Sequence, residues 1–417
     1  MADLTISNAD WLGPDGRFHQ GTLVVRDGVL RIGEAPDRDA PSLDAQGLRV
    51  LPGAIDAHTH LREPGQEHKE GIDRGTRAAL AGGVTTVLDM PNNQPPIDSD
   101  GMLERKRALF REKSRVNWGL HVQAPFAGSA RQVASAKVYL ARSSALPAVR
   151  AEALAGIFRA HKRVTIHAED ESKFLPSSAF LDKRSHHLQR PREAVVSALD
   201  AVERALSALK PAERPRVVLC HMSTCEEVAW LERVKNVQWD VWGETCPHYW
   251  RLTERDYLRA GPRLKVNPPL RTEADAQAIL DAVACGTIDF VSTDHAPHSL
   301  DEKADEANAP SGIPSIEWYL PLVLELVEEG HVGWARFGEL TSRNAARCYG
   351  IRGRGAIAEG MAADLALVRK GSRSGPKPRP ITGAGYDPYP DDQFEFQVEA
   401  TVVNGMLQPR GQEVQFE

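Results

Sequence analysis

The chain has 417 residues, 41% hydrophobic and 26% charged, with 51 Lys+Arg against 57 Asp+Glu for a net charge of −6. That length predicts a large domain with a smaller companion, and the absence of any basic run interleaved with aromatics excludes a nucleic-acid binder. No apolar run reaches the roughly 20 residues that span a membrane, no signal peptide is visible at Met1–Thr5, and five scattered cysteines without a C-x-x-C pair point to a reducing cytoplasm.

The first fifty residues read as short strands and turns, such as Gly21–Arg26 followed by the Asp27-Gly28 turn signal. From residue 51 short apolar runs alternate with amphipathic stretches. Buried strands are predicted at 51–58, 84–89, 117–123, 135–140, 163–168, 216–222, 237–243 and 288–293. Helical patterns lie between most of them, at Asp100–Arg115, Leu146–Lys162, Arg192–Lys210, Glu226–Lys235 and Thr272–Ala284. Eightfold alternation predicts an α/β fold, a (β/α)8 barrel over 51–351 with its chemistry at the C-terminal strand ends. Beyond it, Gly355–Gly360 and Ala363–Val368 read as a hairpin, Lys370–Pro390 as a Pro-, Gly- and Ser-rich connection and Glu399–Asn404 as a last strand. The two β-rich ends, 1–50 and 352–417, are expected to meet in one small β-sandwich domain.

Placed on those strands, the polar residues form a pattern. His58 and His60 end the first strand two residues apart, so alternation puts both imidazoles on one side. Lys137 falls on the fourth strand, His167 on the fifth, His221 on the sixth and Asp294 just after the eighth. An H-x-H pair alone is a weak signal, and a single His closing a strand is more often a hydrogen-bonded core residue. Six such groups on one rim make a metal site, and imidazole with carboxylate suits catalytic Zn2+. An ammonium binds no cation, so Lys137 fits only as a neutral amine that adds CO2; the resulting carbamate bridges two metals. Such a pair acidifies a bridging water, and Asp294 is then the natural group to take its proton and pass it to a leaving nitrogen. Cys220 reads as a buried strand residue, His186 and His187 as a loop facing solvent or a helix, and His295 as a residue orienting Asp294 or its neighbours.

These motifs resemble the amidohydrolase superfamily and, within it, the dihydroorotases. The carriers are Asp56–Gly65, Gly82–Thr86, Asp89–Asn93 with Pro95 and Pro96, His167–Asp170, His221–Thr224, Lys265–Arg271, Thr293–His298, Glu302 and Lys303, and then Gly360–Asp364 and Val403–Gly405. The resemblance implies His58, His60, Lys137 and Asp294 on one Zn2+ and Lys137, His167 and His221 on a second, bridged by carbamylated Lys137 and a hydroxide. It implies reversible hydrolysis of dihydroorotate to N-carbamoyl-L-aspartate, in pyrimidine biosynthesis. Arg62, two positions after His60, would grip the substrate carboxylate with two hydrogen bonds. Asn92 and His298 resemble the family's other carboxylate partners, and Asn267 would present polar groups to the ring.

The sequence departs from that pattern in three places. Pro247-His248-Tyr249-Trp250 stands where the family often has two consecutive histidines, some dihydroorotases bridge their metals with Asp rather than Lys, and Gly371–Gln393 has little that matches the family. Two rival readings stay open: an allantoinase or hydantoinase/dihydropyrimidinase with the same metals, and a metal-free scaffolding subunit. Partner arrangements also stay open between a homodimer and an association with aspartate transcarbamoylase.

Overall fold

The structure, a computed structural model, describes residues 4–417 apart from 36–38, 127, 130, 144–145, 181, 183, 307, 372–376 and 378. Its first strands form an antiparallel meander, β1 (Leu4–Leu12), β2 (Phe18–Arg26) and β3 (Val29–Ile32). Asp27 (φ 52°) and Gly28 (φ 72°) both take the left-handed conformation of a two-residue hairpin turn. β4 (Ser42–Asp44) and β5 (Arg49–Pro52) run parallel to β1.

The barrel strands follow: β6 (Ala54–Thr59), β7 (Val84–Asp89), β8 (Asn117–Leu120), β9 (Val122–Gln123), β10 (Ala136–Tyr139), β11 (Arg163–His167), β12 (Arg216–Leu219), β13 (Val241–Thr245) and β14 (Phe290–Val291). They form two parallel sheets, β6-β7-β8 and β9 through β14. β8 and β9 are two halves of the third barrel strand, interrupted only at His121, whose ring meets Ser135 Oγ at 2.7 Å and the Ala57 carbonyl at 3.2 Å. The opposite seam closes where Thr59 bridges His295 and the His60 N–H donates to the His295 carbonyl at 2.8 Å. Asp56 stitches the same seam, accepting from Thr293 N at 3.0 Å and Thr293 Oγ1 at 2.5 Å. Both faces of these strands are covered, which is why β6 and β7 are buried at every position.

Amphipathic helices pack outside. Arg192–Ser207 buries Ala194, Val195, Ala198, Leu199, Val202 and Ala205 at helical spacing, and capping boxes at Thr224/Glu227 and Thr272/Asp275 start the helices Cys225–Asn236 and Glu273–Cys285. β15 (Leu365–Lys370) and β16 (Phe396–Val402) return to the first sheet, giving the order β16-β15-β5-β1-β2-β3 with β4 beside β1. No helix among the described residues is long and apolar enough to cross a membrane.

Several expected boundaries move. The run 51–58 is two strands: Leu51 and Pro52 pair with β15, and the barrel begins after Gly53, where a Cβ would fall 2.2 Å from Thr85 Cγ2. The helix expected from Leu146 starts only at Leu154, because Pro147 interrupts it and Val149 N donates to the Tyr139 carbonyl at 2.7 Å. The seventh barrel strand runs 241–245 rather than 237–243, after Gln238 takes a left-handed φ of 57°. The hairpin of 355–360 with 363–368 does not form: β15 pairs with β5 and β16, while Gly360 N and the Met361 carbonyl bond to Leu30.

Candidate metal centre and active site

Asp294 lies at the centre of the site. His58 Nε2 stands 3.4 Å and His60 Nε2 3.0 Å from its Oδ1. The outward ring nitrogens are already paired, His58 Nδ1 with Glu244 Oε1 at 2.7 Å and His60 Nδ1 with Asn92 Oδ1 at 2.6 Å. An imidazole that donates at Nδ1 keeps its lone pair at Nε2. Two lone pairs and a carboxylate oxygen therefore face one point, with the ligand atoms within 4.8 Å of one another. That arrangement is self-repelling until a cation occupies it, so these residues fit a metal.

The electrostatics agree. Burial, with help from Lys137 and neighbouring rings, pushes His58 well below the usual histidine range, and burial with His167 does the same to His221. Both are thus the neutral donors that a metal needs. Burial pushes the Asp294 carboxyl up, but the neighbouring His60, His221 and His248 rings bring it down to about 2.

His221 joins His58 at 5.2 Å between ring centroids and His167 at 4.8 Å, with His167 Nδ1 at 3.0 Å from His221 Nε2. His221 Nδ1 is buried and unpartnered. The other His167 nitrogen lies 2.9 Å from Glu169, which Arg190 holds at 2.5 Å. Lys137 is fully buried with Nζ 2.7 Å from Cys220 Sγ, and Cys220 groups with His58 and His221 in a second set of convergent ligand atoms. The six expected ligands thus form one cluster. In a third set, Cys225, Glu226 and Asp275, both acids are already paired with Arg192.

Local backbone supports the placement. Arg62 (φ 65°), His221 (φ 39°) and Asp294 (φ 44°) all hold left-handed conformations, strain that surrounding bonds must fix. The buried Lys106–Asp89 pair at 2.6 Å does part of this, since Asp89 Oδ1 accepts the Leu61 N–H at 2.7 Å directly under the His60–Arg62 turn.

A cavity of about 260 Å³ opens over the cluster, and Arg62, Asn92, Asn267 and His298 line it. Arg62 is buried, its Nη2 is 3.1 Å from His298 Nε2, and no acid among the described residues lies within ion-pair distance. Burial, with the charges of Arg62, Lys69 and Lys303, pushes His298 far below the usual range, so its neutral ring accepts from the guanidinium. Asn267 Oδ1 is engaged by His186 Nε2 at 2.9 Å.

Some expectations change. Asn92, expected against substrate, lines the cavity and also places its carbonyl on His60 Nδ1 while donating to Ser143 Oγ at 3.3 Å. His186 is not in a solvent-facing loop: it is buried in the short helix His186–Gln189 and braces Val266 and Asn267. The His295 ring accepts the Ser315 N–H at Nδ1 at 3.1 Å, and its backbone carbonyl takes the His60 N–H at 2.8 Å. Glu244 was missed because the expected seventh strand stopped one residue before it, although an acid closing a barrel strand was the available signal. Glu244→Gln should weaken metal binding about 10- to 100-fold, measured by zinc competition against a chelating indicator; unchanged affinity would remove Glu244 from the site.

Comparisons with known proteins define the class. Residues 49–407 match the amidohydrolase family. The chain is 36% identical over 380 residues to a dihydroorotase of Halobacterium salinarum, covering 83% of this chain and 86% of that one. It is 34% identical over 374 residues to an allantoinase of Rubrobacter xylanophilus, covering 82% and 80%. An L-hydantoinase (dihydropyrimidinase) structure from Arthrobacter aurescens superposes over 100% of both chains with TM-score 0.88 at 22% identity, a likeness of fold. The chain belongs to the amidohydrolase family. It is a hydrolase for cyclic amide C–N bonds.

Proposed function

We propose that the chain is a dihydroorotase, hydrolysing dihydroorotate to N-carbamoyl-L-aspartate reversibly, with two zinc ions held by His58, His60, Lys137, His167, His221 and Asp294. The observation that carries the choice of substrate is Arg62: a buried guanidinium lining the cavity, backed by His298 and without an acid partner among the described residues. A buried cation of this kind requires an anion, and dihydroorotate carries a carboxylate that dihydrouracil and allantoin lack. The dihydroorotase named among the similar proteins supports the same reading.

Lys137 is the proposed bridge. It is fully buried, and no carboxylate among the described residues lies within 4.0 Å of Nζ, so adding CO2 supplies the anion the cluster otherwise lacks there. Bound at these ligands, the zinc pair supplies Lewis-acid activation of the amide carbonyl and of water at neutral pH. The remaining work falls to the chain. Arg62 and His298 fix the carboxylate end, Asn267 faces the ring, and Asp294 accepts the proton of the attacking water and returns it to the nitrogen that leaves.

Turnover of dihydroorotate, allantoin and dihydrouracil by the zinc-loaded protein tests this. Dihydroorotate should be the best of the three, and better use of either other ring would sink the assignment. Two zinc ions per chain are expected, with activity lost on chelation and restored by zinc; below one per chain with no turnover favours the scaffolding reading.

A further inference from the structure

Inward side chains of a (β/α)8 barrel stack in layers drawn from alternate strands, so the fourth and sixth strands share layers. Lys137 on β10 faces Thr165 on β11, and Thr165 faces Val218 on β12. Cys220 lies two residues beyond Val218 and keeps the ladder, donating its N–H to the Ile166 carbonyl at 3.0 Å. His221 then breaks the alternation with its left-handed φ of 39°. Consecutive side chains, Cys220 and His221, therefore both reach the centre of the site, where their ligand atoms and that of His58 lie within 4.8 Å of one another.

The Lys137 amine sits between two uncharged neighbours, the Cys220 sulfur at 2.7 Å and the Tyr139 ring with its centroid at 5.2 Å. Cys220 is the one hydrogen-bond partner of Nζ among the described residues. We propose that Cys220 is the positioning residue for Lys137: its sulfur accepts the Nζ–H and turns the carbamate carried by that nitrogen toward the histidines. The inference rests on the carbamylated-lysine reading above.

The chemistry gives the contact its consequence. The lone pair of the neutral amine attacks the carbon of CO2, an Nζ–C bond forms, one C=O π pair moves to oxygen, and one N–H proton leaves to water. The product, –NH–COO⁻, keeps a single N–H. Conjugation holds this group planar in the way a peptide is planar, so the direction of that one N–H fixes the direction of both oxygens. With the N–H on Cys220 Sγ, the carboxylate is held on the other side of the nitrogen from that sulfur. A thiol suits the task. It is a weak acceptor that satisfies a buried N–H without the negative charge by which an Asp or Glu would hold the lysine as an ammonium.

The experiment compares the wild-type protein with Cys220→Ser, which keeps an acceptor, and Cys220→Val, which fills similar space without one. Each is reconstituted with zinc over a series of ¹³C-bicarbonate concentrations, and the carbamate ¹³C resonance and zinc per chain are read, with a thermal melt confirming the fold. The wild type and the Ser variant should load alike, while the Val variant should need about fivefold more bicarbonate for half-loading, as one lost hydrogen bond implies. Should the Val variant fail to fold, Cys220→Ala takes its place. Wild-type half-loading in the Val or Ala variant overturns the inference, as does equal failure of Ser and Val. A thiolate-to-metal band in the cobalt-substituted wild type also overturns it, since Cys220 would then be a ligand itself. A wild type without any carbamate resonance removes the Lys137 reading and this inference together; a wild type that shows it isolates the question of Cys220.

Discussion

Asp294→Asn should lower kcat on dihydroorotate by about a thousandfold, within the range by which proton transfer from a positioned group accelerates a reaction. The substitution keeps the shape of the side chain and an oxygen able to face His60 Nε2, now 3.0 Å from Oδ1. What it removes is the capacity to take a proton and give it back. The carboxyl is held down at about 2, against burial, by the His60, His221 and His248 rings around it. It is therefore ionised, ready to accept, throughout the neutral range. The amide has no such state. Because Asp294 also belongs to the His58–His60 ligand group, the assay is run at saturating zinc with metal content read alongside. A variant with full metal that retains more than about a tenth of wild-type kcat would show that another group moves the proton.

The site was legible at the strand ends and obscure between them. Parallel strands covered on both faces read as continuous apolar runs, so the polar residue closing each run stands out; His58, His167 and Asp294 were found that way, and the structure groups His58 with Asp294 and seats His167 against His221. Frame errors cost what lay at their edges. The seventh strand was placed four residues early because Val237–Gly243 alternates apolar and polar like a strand, yet Gln238 there leaves the helix end through a left-handed turn. Glu244, the partner of His58, was lost with it. The pairings among the residues around the ligands were not legible. His60 and Asn92 are 32 residues apart, Arg62 and His298 are 236 apart, and His186 meets Asn267 across 81. Those pairings depend on how the loops fold over the rim, and local periodicity carries no trace of that. The hairpin expected near the C-terminus failed for a related reason: residues 363–368 have strand character, but β5, drawn from the N-terminal segment, takes the edge that a local partner would have used.

Arg62→Ala should cost dihydroorotate about 3 kcal/mol in kcat/KM, roughly a hundredfold, the loss expected when a buried charged clamp is removed from its partner. Most of it should appear in KM, because the carboxylate is bound equally in the ground and transition states and lies away from the bond that breaks. Metal content should stay at the wild-type level, since Arg62 supplies no ligand and its contact is with His298 Nε2 at 3.1 Å. Arg62→Lys should recover only part of the loss: an ammonium offers charge without the two parallel donors that match a carboxylate, and it must still fit a position held at φ 65°. Rings without a carboxylate provide the decisive control. If Arg62 selects the substrate, the Ala variant should use dihydrouracil no worse than the wild type does, narrowing the preference from the dihydroorotate side alone. An equal fall on both rings would mean that Arg62 supports the left-handed turn after His60 rather than the substrate, and the assignment would then have to be drawn from other groups in the cavity.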